Sequence, residues 1–464
     1  MFALRAILPA FALAFYGLGT KTVFIAFFVL MILSVPFKKK KAKKPLVYTA
    51  RVKRLISVYA FLGIAIVAGA FFVKESIVAA LILLAGALLL PHIISLSLIL
   101  AEPMEKAISK HYYNDAKRIL ESAKNLIIIG VTGSYGKTSM KYIITSLLSE
   151  KYNVLMTPGS FNTTMGVVRT IREQLKPTHQ VFVVEMGAKN KGDIKEICDL
   201  VKPKYGVISS IGPQHLETFK TIENIINTKF ELAEAVRENG GTMFLNYSNE
   251  YIKGYGFKGD FVSFGNTEEC EYKTCNMKYS SSGASFEIGG AEYKTSLLGD
   301  FSAVNIAGGV AVAEFLGVSK DDIKISARRL KAPEHRLELK KNPRYTVIDD
   351  AYNSNPGGST AALKTLSLFE ERKILVTPGM VELGEKEYEL NREMGRIAAH
   401  SADYIVLVGE KQAKPLLEGV RGEGFSEDRL YVAKDINDAL SYVYKITDVP
   451  SVVLLENDLP DNFL

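Results

Sequence analysis

Asn125-Leu126-Ile127-Ile128-Ile129-Gly130-Val131-Thr132-Gly133-Ser134-Tyr135-Gly136-Lys137-Thr138-Ser139 decides the fold. Asn125–Ile129 is apolar and rich in β-branched residues, which predicts a buried strand. Met140 to Leu148 has helical spacing. Strand, glycine-rich turn and helix in that order form the setting of a phosphate loop. Gly133, Ser134 and Gly136 let backbone N–H groups close on phosphate oxygens, and the helix N-terminus at Lys137 to Ser139 adds its positive dipole end. Lys137 is placed to reach the β- and γ-phosphates, and the Thr138 hydroxyl to ligate Mg²⁺. The spacing is the short G-x-x-G-K-T form, because Val131 stands where the longer phosphate-loop pattern needs its first glycine.

Downstream the chain alternates strands and helices, so the fold class is α/β. Val181–Glu185 and Tyr205–Ser210 read as short buried strands with polar ends, where ligand sites form in α/β sheets. Glu185 is either a solvated strand end or a site carboxylate. His215 is either a surface loop residue or a metal ligand, and Lys229 by itself reads as an exposed helix lysine. Residues 242–296, rich in Gly, Ser and Tyr, predict strands and hairpins at a sheet edge. Strands at Tyr345–Ile348, Lys373–Val376, Tyr404–Val408 and Val452–Leu455 predict a Rossmann-like parallel sheet without a dinucleotide fingerprint. Cys198, Cys270 and Cys275 are too few for a disulfide framework, and reduced thiols are expected.

Upstream the reading changes. At 464 residues the chain is too long for one core. Its formal charge of +7 is concentrated in Lys38, Lys39, Lys40, Lys41, Lys43, Lys44, Arg51, Lys53 and Arg54. Of the 57 basic residues, setting those nine aside leaves 48 against 50 acidic ones. A nucleic-acid binder would spread its basic residues over a face. These lie between apolar runs: Ala6–Thr20 and Thr22–Phe37 before them, Leu55–Val73 and Ile77–Leu100 after. The last two runs match the length of a membrane-crossing helix. The expectation is three to four spans over 1–100, with the 38–54 loop cytoplasmic under the positive-inside rule. A multi-pass protein of the cell membrane, in contact with lipid and with its catalytic domains in the cytoplasm, follows. A connecting helix at 101–124, an ATP-binding domain at 125–333 and a C-terminal domain at 334–464 complete the expected organisation.

Gly133–Ser139, Ser160-Phe161-Asn162, Val184-Glu185-Met186-Gly187-Ala188, His215-Leu216-Glu217 and Thr228-Lys229-Phe230-Glu231 together resemble the Mur ligase family. Arg336, Ile348-Asp349-Asp350-Ala351-Tyr352-Asn353-Ser354-Asn355-Pro356 and Gly379-Met380-Val381-Glu382-Leu383-Gly384 resemble its MurF type, which adds D-Ala-D-Ala. The resemblance implies an ATP-dependent amide ligase of peptidoglycan precursor synthesis acting through an acyl phosphate, its partners a cell-wall precursor and an amino acid or dipeptide. It implies two Mg²⁺ ions. Thr138 and Glu185 would hold the first, and His215 and a carbamylated Lys229 the second. Asn305 would lie on the adenine side, Arg336 and Asp350 would reach ATP from the C-terminal domain, and Asn162 would face substrate. Asn353 and Asn355, also on that side, would shape the nucleotide-side loop.

Three departures stand against the family pattern. Apolar spans occupy the place of the domain that binds the uridine nucleotide. Gly299-Asp300-Phe301-Ser302 replaces a Gly-x-His-Asn pattern. Leu454-Leu455-Glu456-Asn457-Asp458-Leu459-Pro460-Asp461 lacks a Lys-Gly-Ser-Arg-like turn. They leave open a membrane-attached ligase that extends a lipid-linked precursor or polymerises an amino acid. A non-catalytic ATP-binding scaffold would have no need of Lys137, Glu185, His215 and Lys229 together, and a transporter would need more polar residues in its spans.

Overall fold

Side chains along a strand point alternately to opposite faces, and in Ile127–Thr132 (β1) that alternation builds two cores at once. The structure, a computed structural model, describes residues 47–458 apart from 74, 215, 353 and 410–412. Ile129 and Val131 of β1 enter one hydrophobic cluster and Ile128 enters another. The same split runs through Val181–Glu185 (β3), where Val181 and Val183 face one way and Phe182 and Val184 the other. Burial on both faces is the mark of a parallel sheet covered by helices.

The remaining strands of this sheet are Val154–Met156 (β2), Tyr205–Ile208 (β4), Thr242–Asn246 (β5), Phe261–Gly265 (β6), Tyr272–Ser280 (β7), Gly283–Ile288 (β8) and Ala291–Thr295 (β9). Their order is β2-β3-β1-β4-β5-β6-β7-β8-β9. Pairing is parallel from β2 to β7 and antiparallel in the β7-β8-β9 hairpins. After β1 the chain leaves for one side of the sheet, and after β3 it crosses to the other. The carboxyl end of β1 therefore lies at a topological switch point, where α/β sheets bind ligands. The helices Lys137–Leu148 and Ser302–Phe315 cover one face, and Asp193–Val201 and Ile222–Glu238 the other.

A second sheet follows, ordered β10-β11-β15-β12-β13-β14. Its strands are Glu338–Lys341 (β10), Thr346–Asp350 (β11), Arg372–Thr377 (β12), Tyr404–Val408 (β13), Leu430–Ala433 (β14) and Ser451–Glu456 (β15). Only β10 runs antiparallel. Leu375, Ile405 and Leu454 enter one core, and Ile374, Val406 and Val453 the other. β15 inserts between β11 and β12, so Asp350, Glu456 and Thr377 end three adjacent strands.

The described residues divide into two compact units at Tyr112/Tyr113, and both sheets belong to the second. In the first, Ala50–Phe71 is a 22-residue helix capped by Thr49. Its length of about 33 Å matches a bilayer core of about 30 Å. It is the one helix among the described residues long and apolar enough to cross a membrane. The second expected span is corrected: the Ile77–Leu100 run is divided between a 13-residue helix, Ser76–Leu88, and the start of Leu90–Ser122. Pro91 has no N–H to continue the preceding helix, but its fixed φ suits the first turn of a new one. The connecting helix expected at 101–124 is the later part of Leu90–Ser122. The runs 6–20 and 22–37 and the lysines 38–44 lie outside the described residues, so among those described one such helix stands in place of the expected multi-pass arrangement. Within this unit Arg54 forms a two-pronged ion pair with Glu105.

Candidate active site

β1 ends at Thr132, and the next helix begins at Lys137. Gly133 and Gly136 between them take positive φ, +152° and +76°. A Cβ at Gly133 would run into the Ser209 hydroxyl and come within 2.8 Å of the Ser210 carbonyl, so the close approach requires glycine. Gly136 is the N-cap and offers the helix no side-chain bond, which leaves the first-turn amides for another acceptor. The β4 tip clamps the loop: Ser210 O accepts from Ser134 N at 2.6 Å, and Ser209 Oγ donates to Tyr135 O at 2.6 Å. Lys137 Nζ donates to the carbonyls of Gly133 (2.7 Å) and Ser134 (3.0 Å). Burial pushes its ammonium down to about 8, with Glu185 opposing and Arg336 adding to the fall.

Glu185 ends β3, beside β1, and is 1% exposed. Its Oε1 accepts from Thr138 Oγ1 at 3.2 Å and Asn162 Nδ2 at 3.1 Å. Oε2 accepts from Thr138 Oγ1 at 3.1 Å and lies 3.0 Å from Lys141 Nζ. Gly187 makes room for Asn162, since a Cβ there would stand 2.8 Å from the amide carbon. A hydroxyl and a carboxylate at the mouth of a phosphate loop are hard oxygen donors, the set that suits Mg²⁺ when phosphates and water complete the shell. No group of three or more His, Cys, Asp or Glu gathers among the described residues.

Lys229 lies in the helix Ile222–Glu238 and is 3% exposed. It is no surface lysine. Burial pushes its ammonium down to about 7, and the charge of Lys137 adds to the fall. Asn305 lies against the loop, its amide oxygen 3.4 Å from where a Cβ on Gly136 would be. Arg336 comes from the segment before β10; its charge is felt at Lys137, and its guanidinium sits 4.2 Å from the Tyr352 ring centroid. Asp350 Oδ1 accepts from Leu337 N, and burial raises its carboxyl to about 6 against the pull of Arg336. Asn355 is the N-cap of the helix Pro356–Leu366, its Oδ1 accepting from Gly358 N at 2.8 Å. His215 and Asn353 lie outside the described residues.

Two features escaped the sequence reading. Lys141, one helical turn after Lys137, is fully buried on Glu185. At the other sheet, Glu456 is 1% exposed. Its Oε1 accepts from Ser354 Oγ at 2.6 Å and its Oε2 from Thr377 Oγ1 at 3.4 Å. Burial, reinforced by Asp350, pushes its carboxyl up to about 8. Asn457 binds Ser354 N and Gly379 O, so the turn after β15 ties together the loops after β11 and β12.

The Mur ligase middle domain matches residues 131–313, and the Mur ligase glutamate ligase domain matches residues 335–456. The UDP-N-acetylmuramoyl-tripeptide--D-alanyl-D-alanine ligase of Bacillus subtilis is 28% identical over 334 residues, 71% of this chain and 72% of that one. The Escherichia coli ligase of the same name is 28% identical over 319 residues, 66% of this chain and 70% of its own. A crystal structure of MurF from Acinetobacter baumannii superposes with a TM-score of 0.68 at 26% identity, covering 75% of this chain and 77% of that one. With the phosphate loop at the switch point of the first sheet and both family domains matched in order, the chain belongs to the Mur ligase family of ATP-dependent acid–amino-acid ligases.

Proposed function

We propose that this chain is a MurF-like ligase of peptidoglycan precursor synthesis, joining a UDP-muramoyl tripeptide carboxylate to the amine of D-Ala-D-Ala, and that it is anchored to the membrane by Ala50–Phe71. The observation that carries the reading is the convergence of Lys137, Thr138 and Glu185 at one glycine loop. A carboxylate is a poor acylating agent, so ATP converts it to an acyl phosphate. The amine then attacks, the amide forms and phosphate leaves. Lys137 and the loop amides would hold the phosphates in line, and most of the acceleration in phosphoryl transfer comes from such alignment and charge stabilisation. Thr138 and Glu185 would hold one Mg²⁺, and Lys229, as its carbamate, with His215 a second; bound Mg²⁺ neutralises charge on the phosphates. An ammonium cannot ligate a cation, but a lysine held near 7 carries a large neutral fraction able to take up CO₂. Asn305 would contact adenine, Arg336 and Asp350 would approach ATP from the second sheet, and Asn162 would face the substrate carboxylate.

The full-length protein in mild detergent is given ATP, Mg²⁺, UDP-MurNAc-tripeptide and D-Ala-D-Ala, and the amide is sought by mass spectrometry. Product that disappears in Lys137→Ala supports the reading. ATP binding without product overturns the substrate assignment and favours a second reading, a ligase acting on a lipid-linked precursor, which the apolar Ala50–Phe71 helix favours. Lys229→Ala is expected to lose ligation and keep nucleotide binding; unchanged ligation would sink the carbamate.

A further inference from the structure

Lys141 is a lysine without solvent. Its side chain is 0% exposed, on the helix Lys137–Leu148 four residues after the phosphate-loop lysine. An ammonium has three hydrogens to donate, and three acceptors surround this one: Glu185 Oε2 at 3.0 Å, Thr157 O at 2.7 Å and Gly159 O at 2.6 Å. Burying a charge is costly unless it is paired and fully hydrogen-bonded, so a lysine would not be kept here for packing alone.

The three acceptors belong to two pieces of the site. One is the carboxylate at the tip of β3. The other is the turn after β2, whose Thr157 Oγ1 accepts from Glu185 N at 3.0 Å and which leads directly to Asn162. Asn162 in turn donates to Glu185 Oε1. Lys141 thus closes a ring through the carboxylate, the turn and the asparagine. The two carboxylate oxygens are held differently: Oε2 takes the lysine and Oε1 takes Asn162, while the Thr138 hydroxyl lies between them, 3.1 Å from Oε2 and 3.2 Å from Oε1.

We propose that Lys141 is a positioning residue for the cation-binding oxygens: by holding Glu185 Oε2 and the Thr157–Gly159 turn, it presents Oε1 beside the Thr138 hydroxyl as a single-oxygen ligand for the nucleotide's Mg²⁺. This rests on the ATP-ligase reading above. Partners that orient a metal ligand from behind typically contribute 10- to 100-fold in metal affinity. Lys141→Met keeps the length of the side chain and removes the ammonium.

The test is equilibrium binding of a fluorescent ADP analogue to the full-length protein in detergent, at fixed nucleotide and rising Mg²⁺, together with a thermal melt. The expected result for Lys141→Met is a half-saturating Mg²⁺ concentration raised about tenfold. Nucleotide binding without Mg²⁺ should stay within about twofold of wild type, and Lys141→Arg should recover part of the Mg²⁺ response. A purely structural lysine would lower the melting temperature and leave the Mg²⁺ midpoint of the folded fraction where it was; that outcome overturns the proposal. Lys141→Gln, which keeps one amide donor and no charge, replaces the methionine variant if that does not fold. Failure of both neutral variants to fold, with Lys141→Arg folded, assigns the lysine to the fold and also overturns it. Wild-type protein without Mg²⁺-dependent nucleotide binding would overturn the ligase reading along with it. A normal wild type beside an unmoved Lys141→Met removes only this inference.

Discussion

Glu456→Gln should make the protein more stable, and more so the higher the pH. The carboxyl is buried at the tip of β15, beside Asp350, and is held up to about 8 against an ordinary 4.5. Below pH 4.5 the folded and unfolded chains both carry the proton, and its contribution does not change. Between 4.5 and 8 only the folded chain keeps it, so folding takes up a proton and stability falls as pH rises; above 8 the loss is complete. At about 1.4 kcal/mol per pH interval of one, the ceiling on that loss is on the order of 5 kcal/mol, of which about 2 kcal/mol falls between pH 6 and pH 8. Glutamine has the same shape, can still accept from Ser354 and does not titrate. The gap in stability between variant and wild type should therefore widen by about 2 kcal/mol over that interval, a few degrees in melting temperature for a unit of this size. Asp350 also titrates in this range, at about 6, but it is present in both proteins and cancels to first order. With no tryptophan in the chain, differential scanning calorimetry at pH 6 and pH 8 is the direct assay. A gap of equal size at the two pH values would refute the reasoning.

Two further outcomes follow from the loop geometry. Gly133→Ala should weaken nucleotide binding at least tenfold, because the added Cβ drives the loop off the Ser209 and Ser210 clamp; binding within twofold of wild type would show that the loop can shift freely. Asn355→Ala should lower stability by about 1 kcal/mol through loss of the helix cap, with Asn355→Asp close to wild type. A larger loss of ligation than of stability would give Asn355 a part beyond the cap.

The sheets were legible because their strands are buried on both faces. Val181–Glu185 and Tyr404–Val408 appear with their predicted bounds. The strands that escaped are short or polar edge pieces: β2 has three residues, and the last three residues of β10 are all exposed. The Ile77–Leu100 run misled for the opposite reason, since apolarity measures solubility in lipid and says nothing about where a helix is cut. At the site, Lys137, Thr138 and Glu185 could be read because each stands at the end of a strand or the start of a helix, a place that local pattern marks. Lys141 and Glu456 could not. A lysine on a helix reads as solvated until a carboxylate 44 positions on and two carbonyls 16 and 18 positions on close around it. Glu456 was visible as a departure from a family pattern, yet its chemistry depends on Ser354, 102 positions back. Both are titratable groups whose buried surroundings are built from distant partners, and periodicity carries no record of distance. The two buried groups are therefore where this ligase holds information that its motifs do not.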